Sequence, residues 1–88
     1  MKNLIINVEG KVQGVWFRAN TKKIADRLNL NGFVRNESDG SVYIELTGDD
    51  QHVMKFIEWT LQGPELSVVE KVSIIKSKFV HESGFIIK

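Results

Sequence analysis

The chain has no cysteine and one proline among its 88 residues. Without thiols there is no disulfide, no thiolate zinc site, no iron–sulfur cluster and no cysteine nucleophile. A small domain lacking such staples has to be held by its apolar core. Long apolar runs are missing too. Leu4-Ile5-Ile6 is interrupted at Asn7, Glu9 and Lys11, short of the about 7–15 residues of a secretory signal and the about 20 of a membrane span. That pattern points to a cytoplasmic chain with no membrane partner. An excess of one charge sign is also absent, since 12 Lys plus Arg face 11 Asp plus Glu for a net charge of +1. The usual electrostatic ground for binding nucleic acid or an anionic membrane is therefore removed. The two histidines, His52 and His81, are distant in sequence and read as surface residues, and no carboxylate cluster has metal-ligand spacing. Neither a metal nor another cofactor is expected.

Apolar residues make up 42% of the chain and charged residues 26%, a balance suited to one folded domain over residues 1–88. Charge is split mildly, with +3 in residues 1–44 and −2 in residues 45–88. Residues 3–9 are short, apolar and β-branched, which reads as a central strand. After a glycine-containing stretch at 10–16, Phe17, Thr21, Ile24, Ala25 and Leu28 recur at helical spacing. Arg18, Lys22, Lys23, Asp26 and Arg27 occupy the other arc, and Asn29 or Asn31-Gly32 supplies the stop.

Phe33 to Glu37 reads as a second strand, and Ser38-Asp39-Gly40 as a tight hairpin turn. Ser41 to Gly48 alternates as a third strand. Asp49 or Asp50 is placed to cap a second helix carrying Val53, Phe56, Ile57, Thr60 and Leu61, which Gly63-Pro64 ends. Residues 67–77 form a fourth strand and Phe85-Ile86-Ile87 a short fifth. The expected fold is α+β, a ferredoxin-like βαββαβ sandwich, with an antiparallel sheet of four to five strands and both helices on one face. Phe17, Phe33, Phe56 and Phe85 read as packing residues, with Trp59 off the main apolar stripe.

One segment carries chemistry. Gly10-Lys11-Val12-Gln13-Gly14-Val15-Trp16-Phe17-Arg18 joins the central strand to a helix start. Glycine permits close backbone approach, the helix start presents free N–H groups with the positive end of the dipole, and Arg18 offers a planar fork of donors to an anion. The same residues also fit an ordinary strand-to-helix turn followed by a surface arginine. Trp16 is either a packing residue or an exposed neighbour of the loop within reach of a ligand.

The segment resembles the signature of the acylphosphatase family, Gly-x-Val-Gln-Gly-Val-x-Phe-Arg, at Gly10, Val12, Gln13, Gly14, Val15, Phe17 and Arg18. A second signature of that family, Gly-aromatic-Val-x-Asn-x-x-Asp-Gly-x-Val, matches Gly32 through Val42, with Asn36 at its asparagine. One departure is Asn29, where glycine is common. The resemblance spans nearly the whole chain. It implies hydrolysis of the carboxyl-phosphate bond of small acyl phosphates to a carboxylate and inorganic phosphate, the latter acting as product and inhibitor. Arg18 and the loop amides of Gln13, Gly14, Val15, Trp16, Phe17 and Arg18 would hold the phosphate, and Asn36 would orient the attacking water. A monomer is expected.

Two rivals remain. An RNA-recognition domain shares the layout but needs several aromatics on its third strand, where this chain offers only Tyr43. A catalytically idle acylphosphatase-like binding module would keep the fold without turnover.

Overall fold

A computed structural model describes residues 1–88, with strand β1 (Lys2–Lys11), helix α1 (Phe17–Arg27), strands β2 (Asn31–Asn36) and β3 (Val42–Gly48), helix α2 (Asp50–Gln62), and strands β4 (Val68–Lys76) and β5 (Phe85–Ile87). The five strands form one sheet in the order β4-β1-β3-β2-β5. Alternation decides which face each strand buries. Leu4, Ile6 and Val8 of β1, Val34 of β2, and Val42, Ile44 and Leu46 of β3 join Phe17 and Ala25 of α1 and Val53 and Phe56 of α2 in one apolar core. Thr21 is fully buried in α1 and its hydroxyl donates to the Phe17 carbonyl at 2.8 Å, so the core contains a polar group that is satisfied.

The four long strands pair antiparallel as expected, but β5 lies parallel to β2, with Val34 opposite Ile87. The path of residues 77–84 gives the reason. The chain leaves β4 at one edge and crosses the sheet at the end where β1 and β2 begin. Ser77 N–H donates to the Asn3 carbonyl, His81 N–H to Thr47 Oγ1 and Gly84 N–H to Asn31 Oδ1, at 2.8, 3.0 and 3.0 Å. β5 therefore starts at the same end as β2 and runs alongside it.

Three packing expectations change. Phe33 is buried but lies outside the helix-side core, on the opposite sheet face with Tyr43 and His81 at ring-centroid distances of 6.0 and 5.8 Å. Strand alternation puts it there, because Val34 takes the core side. Leu61 is exposed, since the helical rotation past Thr60 carries it to the solvent side. Trp59 packs against the core instead, with its ring 5.5 Å from Phe17 and 6.0 Å from Phe56.

One helix end differs from expectation and the other matches it. Asp49 occupies the N-cap of α2, yet no side-chain cap bond forms, and its carboxylate lies 3.7 Å from His52 instead. At the end of α1, Asn29 adopts a left-handed conformation (φ 54). Leu30 N–H donates to the Ala25 carbonyl at 2.9 Å and Asn29 N–H to Asp26 at 3.2 Å, which is the Schellman pattern. Asn tolerates that conformation less well than glycine. Asn29→Gly is expected to stabilise the fold by about 0.5 kcal/mol, read as a higher urea midpoint. A lower midpoint would contradict the strain assigned to Asn29.

Candidate active site

The cleft opens at the other end of the sheet, where β1, β2 and β5 finish and α1 begins. Its geometry starts with Gly10. β1 carries an irregularity between Glu9 and Gly10, and Gly10 adopts φ 129 so close to β4 that a Cβ would overlap the Val68 carbonyl. Gly10 therefore serves strand pairing rather than ligand approach, a correction to its sequence reading. Gly14 differs. It has φ 73 and nothing within 4 Å of where a Cβ would stand, so its left-handed turn faces open space.

Between these glycines and the helix, Val12, Val15 and Phe17 sink into the core at 1%, 6% and 2% exposure. These three anchors hold the backbone while leaving its polar groups outside. From Gln13 through Ala19 no backbone N–H is hydrogen-bonded within the protein, and no side chain caps the helix. Helix starts ordinarily satisfy such donors with a capping side chain or water, and together with the helix dipole they favour an anion. Trp16 stands at the N-cap with φ 64 and ψ 21, a left-handed conformation that costs a non-glycine residue roughly 1–2 kcal/mol. Its side chain is exposed. Of the expected phosphate-binding residues, Val15 and Phe17 thus offer only their backbone amides.

Gln13 has a further task that its sequence neighbourhood did not reveal. Its side-chain amide nitrogen donates to the carbonyls of Glu37 and Ser41 at 2.8 and 2.9 Å. These carbonyls flank the β2–β3 turn, so Gln13 ties the loop to the hairpin that carries Asn36. The turn is braced separately by Asp39, whose carboxylate accepts from Ser41 N–H at 2.9 Å and Ser41 Oγ at 2.6 Å. Those two bonds hold the Asp39 carboxyl below its ordinary value.

Arg18, in the first turn of α1, is exposed and belongs to none of the ion pairs. Lys22, one turn on, is already engaged with Asp26 at 2.9 Å and the Phe85 carbonyl at 3.0 Å. Asn36 ends β2 opposite Val42, and its Oδ1 is buried without a hydrogen-bond partner. A buried acceptor left unpaired costs about 1–3 kcal/mol, so Asn36 is held here at a cost to the fold. Arg18 and Asn36 line one cleft of about 390 Å³ with Gly14, Trp16 and the apolar Val12, Phe17, Ala19 and Ile87. Ile87 arrives through the parallel pairing of β5, which no local signal announced. Ala19 was legible only as the neighbour of Arg18 on the helix.

A separate polar cluster lies on the sheet face away from the helices. Glu45 accepts from Tyr43 Oη at 2.7 Å and lies 2.9 Å from His81 Nε2, so His81 is tied into the sheet rather than free on the surface. Arg35 sits 4.5 Å above the Tyr43 ring. Burial alone would raise the Glu45 carboxyl, but hydrogen bonds from Tyr43 and His81, with the charges of His81 and Arg35, hold it below its ordinary 4.5. Burial, then the hydrogen bond and charge of Glu45, push Tyr43 from 10.0 up to about 12. The fold thus favours ionised Glu45 and neutral Tyr43. The Glu45 contribution is present above about pH 4.5 and fades as pH falls through its folded value. The Tyr43 contribution is present below pH 10 and fades as pH rises from 10 to about 12. Tyr43→Phe is expected to move acid unfolding to higher pH and to flatten the alkaline loss, followed by urea midpoints across pH. Superimposable profiles would contradict this coupling.

No helix is long and apolar enough to cross a membrane. No three His, Cys, Asp or Glu side chains gather as a metal site.

The acylphosphatase family model matches residues 4–87. An acylphosphatase of Thiobacillus denitrificans is 42% identical over 85 residues, covering 97% of this chain and 94% of that protein. The crystal structure of acylphosphatase from Bacillus subtilis superposes with a TM-score of 0.94 at 34% identity, over 100% of this chain and 99% of the other. The structure of an acylphosphatase from Coxiella burnetii gives 0.94 at 33% identity, over 99% and 92%.

Proposed function

The chain belongs to the acylphosphatase family and is a hydrolase acting on acid anhydrides, and from that premise we propose that its cleft hydrolyses the carboxyl-phosphate bond of acyl phosphates through Arg18, the loop amides and Asn36. The observation that carries this reading is a single cleft lined by Arg18, Asn36 and the helix-start residues Gly14, Trp16, Phe17 and Ala19, whose backbone N–H groups have no partner in the fold. The amides from Gln13 to Ala19 and Arg18 have no acceptor of their own, and Asn36 Oδ1 has no donor.

The phosphoryl group enters with its oxygens on the loop N–H groups and the Arg18 fork, charge-assisted bonds that strengthen as negative charge builds in the transition state. The side-chain amide of Asn36, which lines the cleft, orients a water toward phosphorus. The water oxygen forms the new P–O bond, and the bond from phosphorus to the carboxyl oxygen breaks. The carboxylate leaves with the electron pair. An asparagine has no useful pKa and cannot take the proton, which passes to a phosphoryl oxygen of the substrate. An acyl phosphate suits so spare a site because its carboxylate is a good leaving group, so positioning and charge stabilisation supply the catalysis. The product phosphate keeps the same contacts and competes with substrate. The enzyme acts as a monomer on small molecules.

Phosphate release from benzoyl phosphate and acetyl phosphate in the presence of a chelator tests the reading. Turnover well above the uncatalysed rate, unaffected by chelation, is expected. Release at only the uncatalysed rate would favour an idle binding module.

A further inference from the structure

The cleft has an apolar side that phosphate chemistry leaves unused. Trp16 is 74% exposed and keeps a left-handed backbone at φ 64. Neither packing nor backbone preference accounts for an indole at that position. Burial rewards a large aromatic and glycine suits the conformation, and Trp16 has neither advantage. A strained, solvent-facing aromatic beside a binding cleft is where a ligand contact offsets both costs. Ile87 supplies a second apolar surface in the same cleft and is itself 43% exposed, although its strand neighbour Phe85 is buried. Ala19 adds a small apolar side chain to the same lining. At about 390 Å³, the cleft is within the range of small-molecule sites and has more room than a phosphate fills.

We infer that Trp16 and Ile87 form an acyl-group subsite that selects acyl phosphates with an aromatic or bulky apolar acyl group over acetyl phosphate. The inference rests on the hydrolase reading and adds the substrate class. The phosphoryl end is read by amides and Arg18, which are blind to the acyl group. Discrimination therefore falls to the apolar wall, where an aryl group sheds water against the indole and the Ile87 side chain. No cation other than Arg18 lines the cleft, so an acyl group with its own carboxylate gains nothing there.

Two ratios test this, measured on wild type, Trp16→Ala, Trp16→Gly and Ile87→Ala. The first is kcat/KM for benzoyl phosphate against acetyl phosphate, each divided by its uncatalysed rate. The second is the inhibition or direct binding constant of phenylphosphonate against methylphosphonate, read by calorimetry so that it does not need turnover. Wild type is expected to favour the aryl compound about tenfold in both ratios, and each substitution to remove most of that preference. Trp16→Gly should lose the preference while its thermal midpoint rises, because glycine relieves the left-handed strain. Turnover of both acyl phosphates with no aryl preference in either ratio would overturn the subsite and leave the hydrolase reading standing. Aryl preference in calorimetry without turnover of any acyl phosphate would support the subsite and remove the hydrolase reading. A preference that survives all three substitutions would overturn the assignment to Trp16 and Ile87.

Discussion

Arg18→Ala is expected to lower kcat/KM for acyl phosphates by about 10³-fold, the scale on which removal of a positioned donor to a developing oxyanion is felt. Arg18 is the one cation lining the cleft, and no carboxylate competes for it. Its loss leaves the substrate's charge to backbone dipoles alone. Both the chemical step and ground-state binding suffer, so the inhibition constant of inorganic phosphate should rise together with KM. Arg18→Lys should recover only part of the loss, because a point charge lacks the bidentate fork. The side chain is exposed and unpaired, so the fold is expected to keep its stability within about 0.5 kcal/mol. Activity retained by the alanine variant would remove Arg18 from the site.

Asn36→Ala should behave differently in a way that separates the two roles. We expect kcat to fall about 10²–10³-fold while the phosphate inhibition constant changes little, because the proposed role of Asn36 is to hold the water and not the phosphate. Stability should not fall, and an increase is expected, because the variant removes a buried acceptor that has no partner in the fold. Functional groups that cost stability are the usual trade at active sites. A strongly destabilised Asn36→Ala with undiminished kcat would reverse this interpretation and make Asn36 a structural residue.

Much of this geometry was legible along the chain because it is local. The β1-to-α1 loop, the hairpin at Asp39-Gly40 and the apolar stripe of Phe17, Thr21 and Ala25 follow from turn chemistry and helical spacing. The family resemblance added Asn36, which periodicity alone would leave as the end of an ordinary strand. What escaped was long-range. Phe33 looked like core because it is aromatic and apolar, yet strand alternation gave the core side to Val34. The parallel β5 and the arrival of Ile87 in the cleft depend on the route of residues 77–84 across the sheet, which bears no local signal. Gln13 read as part of the cradle, while its side chain in fact spans to Glu37 and Ser41. The burial of Glu45 against Tyr43 and His81 was equally hidden, because its partners come from neighbouring and distant positions at once.

In the proposed mechanism a water held in the cleft attacks phosphorus directly, with no covalent intermediate on the enzyme. Hydrolysis of benzoyl phosphate under single turnover in ¹⁸O-labelled water tests it most directly. Direct attack at phosphorus puts one labelled oxygen in the inorganic phosphate, none in the benzoate and leaves no phosphorylated protein at any time. Label in the benzoate would place the attack at the carbonyl carbon and contradict the roles assigned to Arg18 and Asn36.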